Sequence, residues 1–190
     1  MFTLDLDKLT PEQRSMVALW EAHLKAELQD KDAHASCDTM VANSYVNHVP
    51  VLTGGLGRRQ LLNYYSRYFI PGQPPDVEIV PISRTVGQER IVDEFVYRCT
   101  HSIPMEWLLP GVPPTGRPME IPVVVIITFE GSKMQSERIY WDQASVLVQL
   151  GLLDPAGLPV AGVEVARKVL DPAAVPSNLL MKRTIADELL

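Results

Sequence analysis

MEIPVVVIITFEGSKMQSERIYWDQASVLVQLG, residues 119–151, is the stretch from which the fold is read. Pro122 to Phe129 is almost wholly apolar and β-branched at every position from 123 to 128. Such a run predicts a strand buried on both faces. Glu130-Gly131-Ser132-Lys133 is a hairpin turn in which glycine supplies the positive φ. A second, more polar strand runs from Met134 to Trp141, and a short helix follows and closes at Gly151. Tyr140-Trp141-Asp142 therefore stands at the rim of a sheet.

Upstream, Thr10-Pro11-Glu12-Gln13 is a helix start, with threonine as N-cap, proline at the first helical position and glutamine three residues after the cap. Met16, Leu19, Trp20, Leu24 and Leu28 then recur at spacings of three and four, one apolar stripe on a helix ending near Asp30. A second helix is predicted over Asp32–Ala42, then a link from Asn43 to Pro50. The loop Thr53–Gly57 leads into a third helix, about Arg58–Ile70, which Pro71-Gly72 ends. Val77–Val86 and Glu89–Ser102 are two further strands. On the second of these Ile91, Asp93, Phe95, Tyr97, Cys99 and His101 share one face. Leu109–Pro118, with four prolines and two glycines, is a structured loop. Helices followed by hairpins indicate an α+β fold, with helices laid on a curved antiparallel sheet that closes into a cone. Residues 1–153 form this domain. Residues 154–190 are a proline-rich extension with one short helix, Val163–Leu170, and an amphipathic end, Asn178–Leu190, that reads as an arm onto a neighbour.

The 190 residues are enough for one sizeable core. A net charge of −6 argues against nucleic-acid or anionic-membrane partners. No apolar run approaches the roughly 20 residues of a membrane helix, and the N-terminus lacks the basic-then-apolar order of a signal peptide. Two cysteines, Cys37 and Cys99, in apolar contexts suggest reduced thiols and a cytoplasmic location.

Tyr45-Val46-Asn47-His48, the loop Pro114-Thr115-Gly116-Arg117, and Tyr140-Trp141-Asp142-Gln143 leading into Leu150-Gly151-Leu152-Leu153 resemble the SnoaL-like branch of the nuclear transport factor 2-like superfamily. The resemblance spans residues 14–153. It implies the cone fold and acid/base chemistry by a carboxylate near the pocket, as in intramolecular aldol closure by polyketide cyclases, with no metal or cofactor. The family's acidic positions correspond to the neighbourhood of Glu137 and Asp142. The same cone also serves isomerases, epoxide hydrolases, dehydratases and binding modules, so fold alone is a weak warrant for function.

Each candidate has an ordinary alternative. Asp142 could act as a general base, but it also precedes Gln143-Ala144-Ser145-Val146 as an N-cap. Glu137 shares a face with Ile139 and Trp141, where a carboxylate needs a partner or a proton; otherwise it is a solvated strand residue. His101 could relay a proton or be a core histidine bonded to backbone, and His48 could face the cavity mouth or pin its link. Tyr140 could stabilise an enolate. Tyr45, Phe95, Tyr97, Glu106, Trp107 and Trp141 complete the expected lining, with Trp107 as the apolar plug of a lid. No GxSxG elbow, phosphate loop or zinc spacing is present. Two readings remain. One is a cofactor-free acid/base enzyme on a hydrophobic carbonyl compound: cyclase, isomerase or lactone-processing. The other is a non-catalytic binding or interaction module. Both carry the expectation of a homodimer, from the apolar strand Pro122–Phe129.

Overall fold

The hairpin organises the sheet as expected. In the computed structural model, which describes Phe2 and residues 4–181, β5 (Pro118–Glu130) and β6 (Lys133–Trp141) pair antiparallel around Gly131, whose φ is 59°. Before them come β3 (Glu78–Val86) and β4 (Arg90–Thr100), also antiparallel, with β4 paired to β5 along its whole length. The helices are α1 (Pro11–Lys25), α2 (Ala33–Asp38), α3 (Gly57–Tyr64), α4 (Gln143–Gln149) and α5 (Glu164–Leu170). Thr10 and Gln13 form the capping box of α1 as read from the sequence.

Two stretches expected to be helix and loop are strands. Met40–His48 is β1, not the end of a helix and a link, and Thr53–Leu56 is β2, not a loop. Asp32 is the N-cap of α2 rather than its first residue, and that helix stops at Asp38 instead of Ala42. From Thr39 the backbone turns to bond β6, its carbonyl accepting from the Met134 N–H. Long-range pairing overrides local propensity here. β1 runs parallel to β6 and antiparallel to β2, giving one sheet in the order β2-β1-β6-β5-β4-β3. The α+β expectation holds, with six strands and one parallel pair.

β5 corrects a second expectation. Its odd-numbered residues, Met119 to Phe129, are buried, while Glu120 to Thr128 on the even face are only half-buried. The apolar run is therefore one-sided. Its outer face is covered in part by α4 and α5 of the same chain. The end of the expected arm, residues 182–190, lies outside the described residues.

The core lies on the concave side, between the inner faces of β4, β5 and β6 and helices α1 and α3. Both helices end in a wider, π-type turn, Ala26–Asp30 after α1 and Tyr65–Phe69 after α3. Such turns re-aim side chains and recur at functional sites. A register shift in β6 has the same effect. Thr128 pairs with Ser136 but Phe129 with Met134, so Gln135 is the extra residue of a bulge. Before the bulge the inward residue is even-numbered, Met134. After it the inward residues are odd: Glu137, Ile139 and Trp141. The bulge thus places Glu137, rather than Arg138, on the concave side.

Candidate active site

The concave side encloses a cavity of about 120 Å³. Most of its wall is apolar, from Phe69, Phe95, Ile121, Val123, Val125 and Ile139 among others. The polar residues on it gather mainly into two groups.

The first is Glu27, Glu137 and Tyr65, with His23 buried behind them and completing the cluster. His23 sits on the last turn of α1 and Glu27 one turn later in the π-turn, so both face the sheet; His23 is fully buried. Thr39 fixes the imidazole. Its hydroxyl donates to the Ser36 carbonyl at 2.6 Å, leaving Oγ1 to accept from His23 Nδ1 at 2.7 Å. Nδ1 therefore carries a proton, and Nε2 is the nitrogen that meets the carboxylates. It lies 2.8 Å from Glu27 Oε1 and 3.7 Å from Glu137 Oε2. The Tyr65 hydroxyl donates to Glu137 Oε2 at 3.2 Å.

Burial alone would depress the His23 pKa, but the carboxylates of Glu27 and Glu137 outweigh it and raise it to about 10. Burial raises the Glu27 carboxyl above its ordinary value, with the imidazolium pulling it back. Burial, with the neighbouring acids, pushes the Tyr65 phenol well above its ordinary value, so it stays a donor. With His23 protonated, both carboxylates ionised would leave one unpaired negative charge. Among the described residues no lysine or arginine is bonded to either acid. A buried excess charge is expensive, so the cluster gains by accepting one more proton.

His23 Nε2 and the two carboxylates offer donor atoms within 4.8 Å of one another, the one such set among the described residues. A tetrahedral ion with bonds of about 2.1 Å holds its ligands about 3.4 Å apart. At 2.8 Å His23 and Glu27 are closed to hydrogen-bonding distance, a gap a proton fills and an ion would have to widen.

The second group is Tyr64, His48 and Trp141. Tyr64 and His48 are buried, and the Tyr64 hydroxyl, His48 Nδ1 and Trp141 Nε1 have no hydrogen-bond partner among the described residues. His48 lies among Trp107, Phe69 and Tyr64, with ring centroids 5.0, 6.2 and 6.4 Å away. Burial in that aromatic box lowers its pKa to about 3, so the imidazole is neutral.

Beside the cavity, Arg84 and Asp93 form a buried ion pair. Arg84 Nε and Nη2 donate to the two carboxylate oxygens at 2.6 Å each, and Trp20 Nε1 donates to Asp93 Oδ2 at 2.7 Å. Glu21 is the second acid on the guanidinium, and the Phe2 ring lies 4.4 Å beneath it.

Of the residues singled out in the sequence, Glu137, His48, Phe95, Tyr97, Trp107 and Trp141 line the cavity. The others lie outside its lining. Asp142 caps α4, its Oδ1 accepting from the Ser145 N–H at 3.1 Å. Tyr140 is exposed, pointing away from Glu137 across the pleat. Tyr45 packs on the outer face, accepting from Arg138. His101 is buried in the loop, its Nδ1 bonded with Thr115. The Glu106 carboxylate accepts from the Gly111 N–H. Trp107 is wall rather than lid, fully packed and anchored by its Nε1 donating to the Gly72 carbonyl at 3.0 Å. The sequence reading missed His23, Glu27, Tyr64 and Tyr65. The available signal was Trp20, His23 and Glu27 at spacings of three and four, in line with Met16.

The family model for the SnoaL-like polyketide cyclases matches residues 18–150, and the chain belongs to that family. Among solved structures it is similar to a protein of Jannaschia sp. CCS1 described as a SnoaL-like polyketide cyclase, with 18% identity and a TM-score of 0.61 over 77% of this chain and 99% of that one. It is also similar to IdmH of Streptomyces antibioticus, described as a polyketide cyclase, with 20% identity and a TM-score of 0.52 over 75% and 99%. A third similar structure is a Catenulispora acidiphila DSM 44928 protein with a ketosteroid isomerase-like fold, at 19% identity and a TM-score of 0.52 over 76% and 96%. These likenesses establish the fold. No curated protein matches the chain. Among the described residues no helix is long and apolar enough to cross a membrane.

Proposed function

We propose that the protein is a cofactor-free acid/base enzyme acting on a small hydrophobic carbonyl compound by proton transfer at the carbon beside the carbonyl, the step common to aldol-type cyclisation and isomerisation. The observation that carries this reading is the buried His23–Glu27–Glu137–Tyr65 cluster opening into an apolar cavity. Glu137 is the base. Its carboxylate lines the cavity, and among the described side chains it is held by one phenol and, at 3.7 Å, the imidazole edge. A proton taken from a C–H bond passes to the Glu137 carboxylate within the apolar cavity. Glu27 is occupied by the His23 proton at 2.8 Å and holds the imidazolium in place. Tyr65 and His23 orient Glu137 and return the proton to the product. Family membership supports the same class of chemistry, since polyketide cyclases close rings through enolates.

The test is exchange of the α-hydrogens of cyclohexanone for deuterium in D₂O, followed by proton NMR. The wild type is expected to accelerate it, and Glu137→Gln, which keeps the shape but not the base, to lose about 10²–10⁴-fold of the acceleration while unfolding normally. Absence of acceleration by the wild type would leave the binding-module reading in its place.

A further inference from the structure

We propose that Tyr64, His48 and Trp141 form a hydrogen-bonding subsite for the oxygen of a compact, neutral ligand of about single-ring size. The inference deepens the reading above, and rests on it only for what happens at the opposite end of the cavity.

Three observations converge. The first is unmet donor capacity. Indole Nε1 can only donate, and a phenol donates readily, yet Trp141 Nε1 and the Tyr64 hydroxyl are buried with no partner among the described residues. Buried donors are nearly always paired, and each costs about 1–3 kcal/mol when it is not. By contrast the other two tryptophans are satisfied, Trp20 by Asp93 and Trp107 by the Gly72 carbonyl. Ser44 Oγ, His101 Nε2 and Arg138 Nε are also unpartnered but lie off the cavity, whereas Trp141, Tyr64 and His48 share its wall, where one ligand oxygen can meet them together. His48 Nδ1, also unpartnered, adapts, since a neutral imidazole can present either a donor or a lone pair.

The second observation is charge. The ionisable groups on the lining other than His48 and the tyrosines are Glu27, Asp93 and Glu137, all acidic. Among the described residues no lysine or arginine lines the cavity to pair with an anion, so a carboxylate or phosphate ligand is disfavoured. Burial also keeps His48 uncharged, its pKa near 3. A neutral ketone, ester or lactone oxygen is the acceptor that suits two neutral donors.

The third observation is size and distance. The cavity is about 120 Å³, slightly less than the 150 Å³ engineered cavity that takes up benzene. It has room for one ring and its carbonyl, not for a fused polycyclic. Along β6, Glu137 and Trp141 are four residues apart on one face, about 13 Å by strand rise. His48 lies beside Ile139 in the parallel register, between them. A single-ring ketone, whose α-carbon is two bonds from its oxygen, does not bridge that distance; it fits beside His48 with its oxygen among the donors.

The experiment is ¹⁵N-indole NMR of the full chain, which has three tryptophans, titrated with cyclohexanone, with benzene as the probe lacking an acceptor and 9-fluorenone as the tricyclic. Cyclohexanone is expected to move the Trp141 N–H downfield and saturably while Trp20 and Trp107 hold still. Benzene should not shift it downfield, and fluorenone should not saturate it. Trp141→Phe and Tyr64→Phe should each weaken cyclohexanone about tenfold, the weight of one hydrogen bond. The inference is overturned if the Trp141 signal does not respond, if fluorenone binds more tightly than cyclohexanone, or if both variants bind as the wild type does. A Trp141 shift without α-exchange would sink the base at Glu137 and keep the subsite. Exchange without the shift would do the reverse.

Discussion

His48→Phe is expected to make the protein more resistant to acid while weakening its ligand binding. The imidazole is 4% exposed and boxed by Tyr64, Phe69 and Trp107, with no carboxylate against it. Its pKa falls from 6.5 to about 3 on folding. The unfolded chain therefore binds a proton below about pH 6.5 that the folded chain refuses until about pH 3. Stability contributed by neutral His48 is present above 6.5 and lost as the pH falls through that window. At pH 5 the chain is 1.5 units into the window, and at 1.36 kcal/mol per unit the wild type has lost about 2 kcal/mol. Phenylalanine has nearly the same shape and no proton to bind. In urea denaturation the stability of His48→Phe relative to wild type should then rise by about 2 kcal/mol between pH 7 and pH 5. Every other titrating group is common to both proteins and cancels. At pH 7 the variant should match the wild type or exceed it by about 1 kcal/mol, because an unpartnered nitrogen is removed. A difference between the two proteins that does not change with pH would refute the burial argument. It would show His48 in contact with water or with an unrecognised acid.

Two further expectations concern the frame around the cavity. Asp93→Asn leaves the Arg84 guanidinium, itself 1% exposed on its side chain, with only the half-exposed Glu21 as an acid; a loss of about 3–5 kcal/mol in urea denaturation is expected, and a loss under 1 kcal/mol would mean that water reaches the pair. Gly54 and Gly131 both have positive φ, but a Cβ on Gly54 would sit 2.0 Å from the Val46 carbonyl oxygen, while one on Gly131 meets open space. Gly131→Ala should cost about 1 kcal/mol and Gly54→Ala well above that, enough to disturb the β1–β2 pairing; equal thermal shifts for the two would contradict the register of that edge.

The parts of the fold visible in the sequence are those whose reason for existing is local. The β5–β6 hairpin needs only alternating apolar residues and Gly131, and the start of α1 needs only its capping box. β1 was hidden because its reason is distant. Ser44, Val46 and His48 are buried at strand spacing, but the short polar run Asn43-Ser44 and the nearby Pro50 make the stretch read as a link after a helix. Only pairing with β6, some 90 residues away, makes the segment a strand. The bulge at Gln135 is of the same kind: no local pattern announces it, yet it decides whether Glu137 or Arg138 enters the core.

That bulge also explains why half of the site could not be read. A search for catalytic residues by strand faces finds Glu137 and stops, because the rest of the cluster comes from helix ends. His23 and Glu27 looked like polar breaks in an apolar stripe, and Leu24 and Leu28 took their place; these are only half-buried at the cavity's edge, while His23 is fully enclosed. A helix that buries a histidine and a glutamate in preference to neighbouring leucines gives up apolar burial of about 1.5–3 kcal/mol for each leucine side chain left out. Packing offers no return for this. The opposing acid on β6 does, since Glu27 and Glu137 together raise His23 far enough to carry its charge in the core. The two halves are each unfavourable alone and compatible only when the π-turn and the bulge bring them together. This mutual dependence is why the cluster is invisible to any reading that takes the chain one element at a time.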